Sequence, residues 1–254
     1  MRDSYSSISS FNKCQYSYYS RYIAKKWMFS KPTEALIKGT AVHNMIETLL
    51  HPYRKGHLSE YTDASKKPMT IDDPVIGKTA EKYIKKIVPF LKGADAVLVE
   101  FPLGVNKDGD PVDFKDPSAY LIGIGDLFVV KEGKCFYFDW KTGKGKYPDD
   151  YQLDIMSYLF LKSREAKFFG VTSVSSSLVY VEMDTIYPTT GYHVVDNETV
   201  HEVEERIRTN IEEKDDHVSS HVFTRSKTPL CNYCGSLICP FSISYNPLEK
   251  VEHE

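Results

Sequence analysis

No stretch of the 254 residues stays apolar for the roughly 18–20 residues that crossing a bilayer requires, so a spanning helix is not expected. The opening segment MRDSYSSISSFNKC has no apolar run of the secretory kind, and a cytoplasmic protein is expected, in a host cell if the chain is viral. There is no internal repeat and no low-complexity tract. Cysteine is scarce, with 5 in the chain, which excludes a disulfide scaffold. An excess of basic residues is also missing: the formal net charge is −3, so any contact with nucleic acid has to come from local clustering.

What is present is an ordinary globular composition, 41% hydrophobic and 26% charged, sufficient for a sizeable core. Charge is concentrated near the start. Between Asn12 and Thr40, Lys13, Arg21, Lys25, Lys26, Lys31 and Lys38 face a single acid, Glu34, among Tyr16, Tyr18, Tyr19, Tyr22 and Trp27. Such a mixture suits single-stranded nucleic acid, although an amphipathic helix with a tyrosine core reads the same way.

Three regions are expected: 1–94, mainly helical; 95–190, strands around one helix; and 191–254, a charged helix followed by a cysteine cluster. Within Thr40–Leu50 the apolar residues Val42, Met45, Ile46, Leu49 and Leu50 have the spacing of one buried helix face. Pro52–Pro74 is polar and turn-rich and reads as a loop. Val97–Leu103, Leu121–Val130 and Lys134–Lys141 read as strands, and Tyr151–Lys162 as a helix.

The informative segment is GIGDLFVV-KEGK-CFYFDWKTG. If Glu132 and Gly133 make a tight hairpin turn, Lys131 faces Lys134, and Asp126 then lies opposite Asp139 on one face. Two opposed carboxylates repel unless a cation lies between them. Lys141, two residues beyond Asp139, points the same way, while Phe136, Phe138 and Trp140 point to the other side. Hard carboxylate oxygens suit Mg²⁺ or Mn²⁺, and an adjacent ammonium suits phosphodiester hydrolysis. An exposed hairpin with a surface Asp–Lys pair is the structural alternative.

His43, on the predicted helix, would add an imidazole that favours Mn²⁺. Its protonation at low pH would weaken any bond to metal, so activity is expected to fall on acidification. Glu100, in VLVEFPL, is a candidate ligand or neighbouring group, and Gln152 and Tyr158 are candidate contacts to phosphate or sugar. Cys14, Cys231, Cys234 and Cys239 form a set of thiols that suits zinc or an iron–sulfur cluster, and Cys135 reads as a small buried hydrophobe.

The segments SSISSFNKCQYSYYSRY, GTAVHNMIE, GIGDLFVV, FDWKTGKG, YQLDIMSYLF and CNYCGSLIC, in this order, resemble the RecB-type branch of the PD-(D/E)XK nucleases, especially its CRISPR-associated iron–sulfur exonucleases. The chain departs from that pattern in carrying Gln15 where proline often follows the first cysteine. The resemblance implies an α/β, restriction-endonuclease-like mixed sheet flanked by helices, with an N-terminal helical cover and a C-terminal cysteine region. It also implies that Asp126, Asp139 and Lys141 are catalytic. His43, Asp126, Asp139 and the Trp140 carbonyl would hold Mg²⁺ or Mn²⁺, and Gln152 and Tyr158 would help hold DNA. Cys14, Cys231, Cys234 and Cys239 would bind a [4Fe–4S] cluster, with zinc as the other occupant. The activity implied is a single-strand-preferring exonuclease running 5′ to 3′ in recombination or repair, alone or with a helicase or recombination partner. The competing readings are an endonuclease, a non-catalytic nucleic-acid-binding subunit, and a zinc-finger-like regulator that leaves the hairpin unexplained.

Overall fold

The computed structural model describes residues 2–28, 34–58, 74–143 and 148–249. Lys31, most of the expected Pro52–Pro74 loop and the Lys144-Gly145 end of FDWKTGKG lie outside the described residues. In chain order the elements are β1 (Asp3–Ser4), α1 (Tyr5–Lys13), α2 (Gln15–Tyr18), α3 (Glu34–Leu50), α4 (Pro74–Leu91), β2 (Ala96–Val105), β3 (Leu121–Lys131), β4 (Lys134–Lys141), α5 (Asp150–Leu161), α6 (Arg164–Phe168), β5 (Ser173–Tyr180), β6 (Thr185–Tyr187), β7 (His193–Asp196) and α7 (Val200–Ser220). No helix among the described residues is long and apolar enough to cross a membrane.

The chain divides into two compact units, one of residues 1–2 and 34–204, the other of residues 3–33 and 205–254. This differs from the expected boundaries at 94 and 190. The helix carrying His43 belongs with the strands because its apolar stripe, Val42, Ile46 and Leu50, is spent on the sheet. Residues 3–33 belong with the C-terminal segment.

In the first unit β2 pairs antiparallel with β3, β3 antiparallel with β4, and β4 parallel with β5. The far edge of β5 takes both β6 and β7, antiparallel. One sheet face buries Val97, Val99, Leu127, Val129, Phe138 and Trp140 against α3 and α4. The other face stacks Phe128 on Tyr137 and on Phe160 of α5, with centroids 4.7 and 4.6 Å apart. Gly123 explains how α5 comes this close, since a Cβ there would stand 2.7 Å from the sulfur of Met156. The sheet is therefore covered on both faces.

The β3–β4 turn is built as expected. Glu132 and Gly133 have φ of +51° and +70°, the left-handed pair of a type I′ hairpin, and the Glu132 N–H donates to the Asp95 carboxylate at 2.9 Å.

The second unit opens on a capping box, in which Ser4 and Ser7 exchange side-chain and backbone hydrogen bonds at the start of α1. Tyr16 and Tyr18 are buried, so these tyrosines are core residues and offer no stacking surface. Beneath them lies Lys214, 1% exposed, its Nζ 3.1 Å from Asp3, in contact with Asp215 and over the Tyr18 ring. Removing one member of a buried ion pair strands the other charge, at a cost of about 3–5 kcal/mol. Lys214→Ala is expected to lose stability on that scale in urea titrations, and Asp3→Asn/Lys214→Met to recover most of the loss. If the double variant is no more stable than the single one, the pair is not what the substitution disrupts.

Candidate active site

The hairpin register places the key residues. Lys131↔Lys134 leads through Phe128↔Tyr137 to Leu127↔Phe138, and the regular ladder stops one pair short of Asp126 and Asp139. There Asp126 Oδ2 accepts the Trp140 backbone N–H at 2.7 Å, so a side chain replaces the strand carbonyl. On the other edge of β3 the pairing runs Val99↔Leu127, then resumes at Phe101↔Gly125. The residue passed over is Glu100, whose φ of +48° is left-handed. That conformation is costly for a non-glycine residue and marks a site where the surroundings enforce it. Regular pairing therefore gives way around Asp126 on both sides.

Into this opening α3 delivers His43, whose Nδ1 lies 3.5 Å from Asp126 Oδ2. One ligand atom each from His43, Glu100 and Asp126 fall within 4.8 Å of one another. Burial, then the charges of Asp139 and Glu100, push the Asp126 carboxyl well above the ordinary range, against the lowering effect of the Trp140 N–H. A group of two carboxylates and an imidazole in which one carboxyl resists ionising has the donor chemistry of a divalent-cation site.

Beside it Asp139 is 5% exposed. Its Oδ1 accepts from the Tyr137 hydroxyl at 3.1 Å and from Gln152 Nε2 at 2.7 Å, and its Oδ2 lies 2.7 Å from Lys141 Nζ. Lys141 also donates to Gln152 Oε1 at 2.9 Å, which closes a ring of three side chains. Burial, then the nearby carboxylates, push the Tyr137 hydroxyl well above its usual value, so it remains a donor. The parallel pairs Asp139↔Leu178 and Lys141↔Tyr180 hold this end of β4 against β5. Gln152 arrives from the first turn of α5, which Asp149 caps by accepting the Tyr151 N–H.

The structure thus brings His43, Glu100, Asp126, Asp139, Lys141 and Gln152 to one end of the hairpin. Tyr158 is not among them. It is 3% exposed, six residues beyond Gln152 and so about 9 Å further along α5, with Lys162 over its ring. The residue missed is Tyr137, which strand alternation puts on the face of Asp139, two positions before it. Cys135 is buried, as expected of a small hydrophobe.

In the second unit Cys14 packs against the small cluster of Tyr16, Ile238 and Cys239. The Cys239 thiol is pushed up by burial and further by Cys234 and Cys14. The turn after Cys239 fastens the other two cysteines: Ser242 Oγ donates to the Cys234 carbonyl at 2.7 Å and the Ile243 N–H to that of Cys231 at 3.1 Å.

The family model described as the PD-(D/E)XK nuclease superfamily matches residues 2–240. The chain belongs to this superfamily. No curated protein matched the sequence. The mixed sheet flanked by helices agrees with the restriction-endonuclease-like fold of PD-(D/E)XK nucleases, and Asp139-Trp140-Lys141 has the Asp-x-Lys form in the superfamily's name. PD-(D/E)XK nucleases commonly use Mg²⁺ or Mn²⁺, and His43, Glu100 and Asp126 are residues that could hold such an ion. A nuclease of this superfamily would act on DNA.

Proposed function

We propose that the protein is a metal-dependent deoxyribonuclease of the RecB-like branch, an exonuclease that prefers single strands and runs 5′ to 3′ in cytoplasmic DNA recombination or repair. The observation that carries this reading is the Lys141 ammonium, held 2.7 Å from Asp139 and 2.9 Å from Gln152 at the end of the β3–β4 hairpin that also presents Asp126. In it Asp126, Asp139 and Lys141 are catalytic. His43, Asp126, Asp139 and the Trp140 carbonyl hold the ion, and Glu100 stands close enough to join them. When bound, a divalent cation supplies Lewis acidity to the phosphate and a water of lowered pKa.

Lys141 has three donors; one goes to Gln152 while its charge pairs with Asp139, and it keeps donor capacity for a phosphate oxygen or the attacking water. Gln152 is a positioning residue: its amide locks Lys141 and Asp139 together. Gln152→Ala is expected to lower kcat by about 10–100-fold, the usual cost of removing an outer partner of a metal site, with little change in KM. A rise in KM at unchanged kcat would instead make Gln152 a DNA contact.

The second part of the reading is a [4Fe–4S] cluster on Cys14, Cys231, Cys234 and Cys239. About four irons and four acid-labile sulfides per chain after anaerobic purification support the cluster; one zinc and no iron refute it.

The activity is tested by Mn²⁺-dependent digestion of linear and circular single-stranded DNA. Loss of the linear strand alone, with release from the 5′ end, is the expected result. Cleavage of circles would make the protein an endonuclease, and no cleavage of either by folded protein would leave a DNA-binding subunit.

A further inference from the structure

The aromatic faces that the N-terminal segment buries have a counterpart, out in solvent, in the C-terminal segment. From His217 to Leu248 there is no Asp or Glu, although α7 just before is strongly acidic, and the cations present are Arg225 and Lys227. Within this stretch large side chains stand in solvent: Tyr233 at 85%, Ile243 at 72%, Leu230 at 59%, Tyr245 at 45% and Phe241 at 41%. Leu230 and Tyr233 lie three apart in a 3₁₀ turn over Pro229–Tyr233, a spacing that eclipses their side chains on one face. The Ile243 backbone is bonded to Cys231, between them, and the Lys227 ammonium sits 5.8 Å over the Phe241 ring.

Exposed aromatic rings in a stretch that carries cations and no acid are complementary to bases that stack and phosphates that repel carboxylates. A protein-docking face would share the apolar side chains, but it gives no reason for a run of 32 residues without an acid. We propose that Tyr233, Phe241 and Tyr245, with Lys227, form a stacking platform for single-stranded DNA. The proposal rests on the nuclease reading only for the identity of the ligand.

The 3₁₀ turn and the carbonyl bonds made by the turn after Cys239 fix the rings without burying them. The platform is therefore preformed, and binding spends little on ordering it.

The test is anisotropy of a fluorescent oligo(dT) titrated with full-length protein in chelator, where hydrolysis does not interfere. Base stacking predicts that Tyr233→Ala weakens binding at least about fivefold and Tyr233→Ala/Phe241→Ala more, while Tyr233→Phe keeps wild-type affinity. Lys227→Glu is expected to weaken binding and to flatten its dependence on salt by about one ion. Iron content and circular dichroism of the alanine variants, unchanged from wild type, show that the fold around the cysteines is kept. Alanine variants that bind within twofold of wild type overturn the platform. So does wild-type self-association that Tyr233→Ala abolishes while leaving oligo(dT) affinity intact, which would assign the face to a second copy of the chain. Failure of the nuclease reading is separable: it appears as absence of hydrolysis with Mn²⁺, whatever oligo(dT) binding shows.

Discussion

Asp139→Asn is expected to abolish practical DNA hydrolysis, with a loss of about 10²–10⁴-fold in kcat, and to leave a folded protein. The size of the effect follows from how much converges on this carboxylate. Tyr137, Gln152 and Lys141 all aim donors at its two oxygens, and the residue is 5% exposed. Asparagine keeps one acceptor and turns the other position into a donor that faces the Lys141 ammonium. The ring that orients Lys141 is then broken at the atom nearest the chemistry, and a proposed ligand is lost as well. Tyr137→Phe provides the scale, because it removes one neutral donor and leaves the charge, so a loss of no more than about tenfold is expected. Single-turnover rates on linear single-stranded DNA measure both. An Asp139→Asn protein within tenfold of wild type would remove this carboxylate from catalysis and with it the proposed mechanism.

The placement of Asp139 was legible in the sequence because strand geometry is periodic. Once Glu132-Gly133 is taken as the turn, register follows by counting, and the Lys131↔Lys134 and Leu127↔Phe138 pairs obey it. The apolar stripe of α3 was equally legible, and it carries His43 to the open end of the sheet. Other features left no local signal. The left-handed φ of Glu100 is imposed by its surroundings on a residue type that does not prefer it, and it is this distortion that turns a strand glutamate toward Asp126 and His43. Tyr158 misled for the opposite reason: a tyrosine on a helix beside a site has two ends, and here packing claims it at 3% exposure. The basic, tyrosine-rich start of the chain read two ways in sequence, and burial decides for the core reading at Tyr16 and Tyr18.

Local strain and local charge repulsion meet at Asp126, and their energetic consequence can be measured apart from catalysis. Its carboxyl is held well above the usual range by burial, then by Asp139 and Glu100, while in the unfolded chain it titrates normally. Between those two pKa values the folded, metal-free protein keeps a proton that the unfolded chain has released, so stability falls as pH rises through the window, and the full penalty is present above it. Asp126→Asn removes this ionisation, and the asparagine oxygen can still accept the Trp140 N–H. In chelator at pH 8 the variant is therefore expected to melt above wild type, by about 2–4 °C for each kcal/mol of repulsion relieved, and the difference should vanish near pH 4, where the wild-type carboxyl is neutral too. Mn²⁺ should reverse the order. It must displace a proton to bind, so its apparent affinity rises with pH, and at a hundredfold excess over its dissociation constant it would stabilise wild type by about 2.7 kcal/mol. The variant, lacking that carboxylate, is expected to gain little and to hydrolyse no DNA. A variant that melts below wild type at pH 8 without metal would mean that Asp126 contributes more through its charged hydrogen bond than it loses to Asp139 and Glu100. The group would then be structural support for the hairpin end, not a carboxylate kept under repulsion for a cation to relieve.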